Sequence, residues 1–328
     1  METRIARILK NSADPLRVRK TTASVFNELH FVNVDYDRIQ EFSKDIKKRA
    51  VENKVLTSDQ FGSRNPSAQL VFIFDTVNFC FWAHKGKEKW MVEYPNGNII
   101  PGGWYSFVAC FNRAISEGKP ILEAKYLHKL SLEEAKNIFR SATSTELPLL
   151  KGRVQILNEV GGVLESKFNG KFGNLLDNDS PNADNLMKKV LENFPSFADQ
   201  RNSDGRKINF YKRLQILAYD LSMLPGLKIS NLDHLTSFAE YKVPQMLRLF
   251  SLMDYHKPLA DKVDNYILLD ENSREEIEIR SATVWICELI AYEIDVYPVL
   301  TDNIIWTLAQ EYRKAEIKPY HRTITTSY

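Results

Sequence analysis

Residues Leu70 to Trp82 read Leu-Val-Phe-Ile-Phe-Asp-Thr-Val-Asn-Phe-Cys-Phe-Trp. A run this long and this apolar cannot be left in water, so whatever fold the chain adopts must build a core around it. Periodicity does not choose between a fully buried strand and a buried helix, because each hides every side. Asp75 and Asn78 break the run. An unpaired buried carboxylate costs several kcal/mol, so Asp75 either faces a pocket or is tied down by a structural partner.

The rest of the chain supplies mainly helices to wrap that run. Val34 to Val55 has apolar residues at helical spacing (Ile39, Phe42, Ile46, Val51). Trp90 to Val92 and Ile99-Ile100, around Pro95-Asn96-Gly97-Asn98, read as a small hairpin. Ser131-Leu132-Glu133-Glu134 is a capping box that opens a helix to Phe139. Further helices are expected over Val154–Phe168, weakened by Gly161-Gly162, and over Asn182–Phe194, Lys207–Leu224, Val243–Met253, Arg274–Tyr292 and Asn303–Lys314. The expected fold is mainly α with a few short β-strands. One domain spans residues 1–328, with two packed lobes that meet near the polar loop 175–185.

Composition narrows the function. A net charge of +2 gives no broad field for a polyanion, so no stable nucleic-acid complex is expected. Three scattered cysteines without CxxC spacing fit a reducing compartment. The N-terminus lacks a signal-peptide core, and no stretch nears the roughly 20 apolar residues of a membrane span. Together these predict a soluble cytoplasmic protein with no membrane partner. The six histidines show no HxH or HExxH spacing, so no metal is expected, and no cofactor fingerprint is present.

Two segments carry candidate chemistry. Ser237-Phe238-Ala239-Glu240-Tyr241-Lys242-Val243-Pro244-Gln245 sets one carboxylate between two aromatic residues. Aromatic rings can sandwich a flat heterocycle, and a carboxylate in an apolar slot can stabilise developing positive charge. The plainer reading makes Glu240 a surface carboxylate that favours the start of a helix near Pro244. Phe210 to Leu217 places Lys212 and Arg213 on an apolar helix, either as a phosphate grip or as a solvated face. Asp199, in a Phe-Ala-Asp pattern that echoes Phe-Ala-Glu240, is a cap or a loop ligand. Asp302, before Asn303 and an apolar helical run, is most simply an N-cap, although with Trp306 one turn on it could also hold and stack a base.

Taken in order, these segments resemble the queuosine salvage family, the queuosine 5′-phosphate N-glycosylases. The likeness covers most of the chain. Its landmarks are Phe74 to Trp82, Gly103-Trp104, Asn112-Arg113-Ala114, Asn137 to Ser141, Arg153 to Gly161, Phe194-Pro195-Ser196, Phe210 to Leu217, Phe238 to Gln245, Glu278-Ile279-Arg280, Trp285 and Pro319 to Arg322. The resemblance implies a helical fold like that of DNA glycosylases. It also implies hydrolysis of the N-glycosidic bond of queuosine 5′-phosphate to free queuine for tRNA modification, without metal or cofactor. The family's catalytic Asp falls on Glu240 and the aromatic residue that holds the base on Phe238. The family's Asp-Tyr pair falls on Asp302 and Asn303, and a downstream Asp falls on Thr307.

Besides Asn303 at the family's Tyr, three departures from the pattern matter: Glu240, Lys242 where the pattern has Arg, and Thr307. Glu240 keeps the charge but shifts it by roughly 1 Å, a displacement that can cost on the order of a hundredfold in rate. The mechanism implied puts ionised Glu240 beneath the sugar, facing an oxocarbenium-like transition state. Phe238 and Trp306 stack on the base, Asp302 meets its donor edge, and Lys212 or Arg213 anchors the 5′-phosphate. The alternative is a homologue with little or no turnover that binds a modified nucleotide or RNA.

Overall fold

The computed structural model describes residues 2–52, 57–62, 66–176, 181–312 and 317–328. Among them are fourteen α-helices and three two-stranded antiparallel sheets, the mainly helical class expected. The chain forms two compact units that interleave in sequence. The first is built from Met1–Leu56, Asp199–Gln215 and Asn231–Ile324; the second from Thr57–Ala198, Ile216–Ser230 and Thr325–Tyr328. The loop 175–185 falls within the second unit, and its residues 177–180 lie outside the described residues.

The first unit is organised around the helix Arg274–Ile294, started by Ser273, whose side chain accepts from the Glu276 amide. Every residue from Glu276 to Ala291 is buried, so this helix is a central core element and not a surface amphipath. Helices Val18–Phe26, Tyr36–Val51 and Pro298–Leu308 pack on it. Two small sheets complete the unit: Val32–Val34 pairs with Met253–Tyr255, and Gln200–Ser203 with Arg206–Asn209. The second hairpin corrects the expected helix from Lys207. Asp204 and Gly205 both take positive φ, 50° and 73°, which makes a tight hairpin turn of the Asp-Gly kind, and the helix starts only at Lys212. The last helix also differs from expectation. It runs Pro298–Leu308, with Pro298 in its first turn, so Asp302 lies inside the helix and is not its N-cap. The expected end at Lys314 lies outside the described residues, as does Val55, the expected end of Tyr36–Val51.

In the second unit the apolar run resolves into two structures. Ala68–Thr76 is a helix capped by Ser67, and residues 77–83 are irregular but buried. Irregular buried backbone needs partners, and Arg153 provides them. Its guanidinium is fully buried and donates to the carbonyls of Val77, Phe79 and Cys80, while its Nε donates to Pro148 at 3.2 Å. Around the run sits an aromatic cluster, with Phe72 stacked on Phe172 at 4.1 Å and Phe74 edge-on to Phe111 at 5.1 Å. The capping box at Ser131 forms as expected and opens the helix Leu132–Ile138. The hairpin Val92–Glu93 with Ile99–Ile100 also forms. Gly161 lies in the helix Leu150–Lys167, where a Cβ would stand 2.3 Å from the backbone nitrogen of His128 and 2.6 Å from the carbonyl of Ala124. The glycine that weakens this helix locally is what lets Ala124–His128 pack against it.

Candidate active site

The candidate site residues Phe238, Glu240, Lys212 and Asp302 lie in the first unit, where the segment 236–241 meets the helices that carry Lys212 and Asp302. Phe238, Glu240, Lys212 and Asp302 are all buried. The reading of Glu240 as a surface carboxylate is therefore overturned, and so is that of Lys212 and Arg213 as a solvated helix face: Lys212 is 4% and Arg213 2% exposed.

Local chain geometry fixes Glu240. Ala239 sits at φ 50°, a left-handed conformation that costs a non-glycine residue roughly 1–2 kcal/mol. That bend turns the Glu240 side chain back over the start of the helix Lys242–Leu249. There Oε1 accepts from the amides of Lys242 and Val243, the latter at 2.9 Å. The helix-start role expected of the carboxylate is thus real, but it is carried out in the interior. Burial pushes the Glu240 carboxyl up, and the charge of Lys212 together with the two amides pulls it back.

Asp302 reaches the same segment from the helix Pro298–Leu308. Its Oδ2 accepts from the Phe238 amide at 3.0 Å. Burial pushes this carboxyl up to about 7, the negative charge of Glu240 adds to the rise, and the Phe238 amide, the Ser237 hydroxyl and Lys212 oppose it. Two coupled carboxylates and one ammonium therefore share a desolvated cluster, a pattern typical of proton-handling sites.

Four of the other expected site residues lie on the chain segments that carry this cluster. Asn303, Trp306 and Thr307 follow Asp302 on the same helix; Asn303 is buried, and Trp306 and Thr307 are half-buried. Trp306 is one turn from Asp302 and therefore shares its face. Asp199 lies behind the cluster. Its carboxylate accepts from both Nη atoms of Arg280 (2.9 and 2.6 Å) and from the Lys212 amide (3.1 Å), and it also pairs with Arg201 at 3.2 Å. Burial would push Asp199 up, but the Arg280 and Arg201 guanidiniums outweigh it and hold the carboxyl below its usual range. The Tyr241 ring packs on Tyr320, with centroids 4.9 Å apart. Asp75 belongs to the second unit, buried in the last turn of Ala68–Thr76, with the Asn78 amide donating to it at 3.4 Å.

Two contributors were not singled out as site residues from sequence. Ser237 donates toward Asp302 and accepts from the Ala239 amide at 3.3 Å. Arg280, fully buried, donates its Nε proton to the Ala239 carbonyl at 2.9 Å and lies over the Phe210 ring at 3.9 Å. The signal for Arg280 was present: charged Glu276, Glu278 and Arg280 interrupt an otherwise apolar helix, and buried charge at such spacing implies internal pairing.

Among the described residues, no group of three or more His, Cys, Asp and Glu side chains is arranged to hold a metal ion. None of their helices is long and apolar enough to cross a membrane.

Comparison with known proteins gives a consistent match. The family model for queuosine salvage proteins matches residues 59–328. A mouse protein named queuosine 5′-phosphate N-glycosylase/hydrolase is 33% identical, over 94% of this chain and 98% of its own length. Proteins of the same name from Sphaerobacter thermophilus and from cattle are 32% and 34% identical, covering 98% and 80% of this chain and 100% and 82% of their own lengths. With a match of that extent, the chain belongs to the queuosine salvage protein family.

Proposed function

We propose that the protein hydrolyses the N-glycosidic bond of queuosine 5′-phosphate, the substrate printed in its relatives' names, and thereby releases the base queuine. The observation that carries this reading is the buried cluster of Glu240, Asp302 and Lys212, in which two coupled carboxylates are set apart by their surroundings. Their shared proton is assigned to Asp302. Glu240 is taken as the anion: burial raises its carboxyl, and the Lys212 charge and two amide donors oppose that rise. Beneath the sugar it stabilises positive charge at C1′ as the bond to the base lengthens. With its carboxyl lifted to about 7, Asp302 is protonated in about half of the molecules at pH 7, and in that form it offers a proton or hydrogen bond to the departing base, a 7-deazapurine whose missing N7 closes the usual route for purine activation. Water completes the hydrolysis at C1′.

Phe238 and Trp306 stack on the base, and Asn303 and Thr307 extend its contact surface along the Asp302 helix. The Lys212–Arg213 pair meets the 5′-phosphate, with Lys212 also balancing the two carboxylates. The proposed compartment is the cytoplasm, in keeping with three buried, free cysteines.

The test is queuine release from queuosine 5′-phosphate by purified wild type and Glu240→Gln, with chelator added in a parallel arm. Wild type should release queuine with or without chelator. Glu240→Gln should lose at least about a hundredfold in kcat while still binding the nucleotide. Binding without release by wild type would overturn the hydrolase reading in favour of a non-catalytic nucleotide binder. Full activity of Glu240→Gln would remove Glu240 from its role.

A further inference from the structure

We propose that Asp199 and Arg280 form a positioning pair that sets the orientation of Glu240 through the backbone of Ala239, and the placement of Lys212 through its amide. The inference rests on the role proposed above for Glu240. Neither Asp199 nor Arg280 touches the substrate in this scheme.

The geometry divides the work. Arg280 offers three separate directions of donation. Two Nη groups hold Asp199, and the remaining Nε proton goes to the Ala239 carbonyl. Ala239 is the residue immediately before Glu240 and is held at φ 50°. In a free chain the left-handed state of a non-glycine residue is disfavoured, by a factor of roughly 5 to 30. A fixed donor at the Ala239 carbonyl keeps the peptide in the orientation that turns Glu240 inward. On the other side, Asp199 Oδ2 caps the helix that begins at Lys212, and the Asp199 carbonyl accepts from the Phe210 and Tyr211 amides at 3.0 and 3.1 Å. One carboxylate thus anchors both the segment before Glu240 and the first residue of the helix that presents Lys212. Arg201 and Glu276 complete a buried quartet of two acids and two guanidiniums: Arg201 Nε meets Glu276 Oε2 at 3.2 Å, and Arg280 Nη1 meets Glu276 Oε1 at 3.4 Å, while Arg201 Nη2 also pairs outward with the exposed Glu271 at 3.1 Å. The pair is therefore buried without net charge, the condition under which buried ions are tolerated.

The discriminating variant is Arg280→Lys, which keeps the charge for Asp199 but has no planar fork to reach the Ala239 carbonyl at the same time. The expected result is a kcat lowered 10- to 100-fold with KM within about threefold. Adding Ala239→Gly should recover at least threefold of the loss, because glycine takes positive φ without help. A purely structural role would not respond to glycine at that one position. Asp199→Glu, with and without Ala239→Gly, serves as the second pair and should show the same pattern. Unchanged kcat in the folded single variants, or loss without glycine rescue, would overturn the proposal. So would failure of both single variants to fold, since the pair would then be a condition of folding. Wild type and Glu240→Gln run alongside: if wild type releases no base, the hydrolase reading fails; if only the Arg280 and Asp199 results disagree, the positioning inference alone fails.

Discussion

Asp302→Asn should stabilise the protein, and by more as pH rises. In the folded state burial, with the charge of Glu240 next, lifts Asp302 from its ordinary 3.8 to about 7. A carboxyl raised in this way binds its proton more tightly folded than unfolded. Stability is then lost as pH climbs from the unfolded value through the folded one. At pH 5 the unfolded Asp is already mostly ionised, so roughly one unit of the penalty is present; at pH 8 the full shift applies. The difference, about two units, is worth on the order of 3 kcal/mol. Asparagine keeps an oxygen for the Phe238 amide, which now donates to Asp302 at 3.0 Å, and adds no charge. Glu240 is the same in both chains and cancels to first order. At about 2 °C per kcal/mol for a chain of this size, the gain in melting temperature of Asp302→Asn over wild type should be about 6 °C larger at pH 8 than at pH 5. Paired thermal melts monitored by circular dichroism at both pH values read this directly. A gain that is equal at the two pH values to within a degree, or that is larger at pH 5, would refute the argument that Asp302 is held protonated by its surroundings.

Two further predictions concern the second unit. Arg153→Met leaves the carbonyls of Pro148, Val77, Phe79 and Cys80 without their guanidinium donor; at about 1–3 kcal/mol per stranded buried group, even partial relaxation should leave a loss of roughly 3–5 kcal/mol, and a thermal melt within 2 °C of wild type would contradict it. Gly161→Ala gains about 1 kcal/mol of helix propensity, but the added Cβ meets His128 and Ala124 backbone atoms at 2.3–2.8 Å; the helices must separate, so urea denaturation should show a net loss of about 2 kcal/mol, whereas a gain would mean the two helices are loosely packed.

Much of the architecture follows from local rules that need only neighbouring residues. The capping box at Ser131, the Asn96-Gly97 hairpin and the amphipathic helices Tyr36–Val51 and Ala183–Asn193 were legible because each is stabilised within a few residues of chain. The hairpin Gln200–Ser203 with Arg206–Asn209 was legible too, through Asp204-Gly205, but the strong helical pattern that follows it masked the signal. The start of the last helix was misplaced because Pro298, a good first-turn residue, lies ahead of the apolar run that draws the eye.

By itself, the sequence determined that a buried aromatic run must be enclosed and that the enclosing elements are mostly helices; attention to Phe238, Glu240 and Asp302 together came from the resemblance to the family. Only the tertiary structure decided what those residues are chemically. Glu240 and Asp302 stand far apart in the chain, and their coupling exists only because the segment 236–241 and the helix Pro298–Leu308 are brought together away from water. Likewise Asp199 and Arg280 read locally as a loop acid and a helix cation, yet in the fold they become one buried pair aimed at the Ala239 carbonyl. Hydrogen-bond propensity is carried by short stretches of sequence. The free energy of a charge depends on how much water surrounds it and on which other charges share that space, and those are set only when distant segments pack.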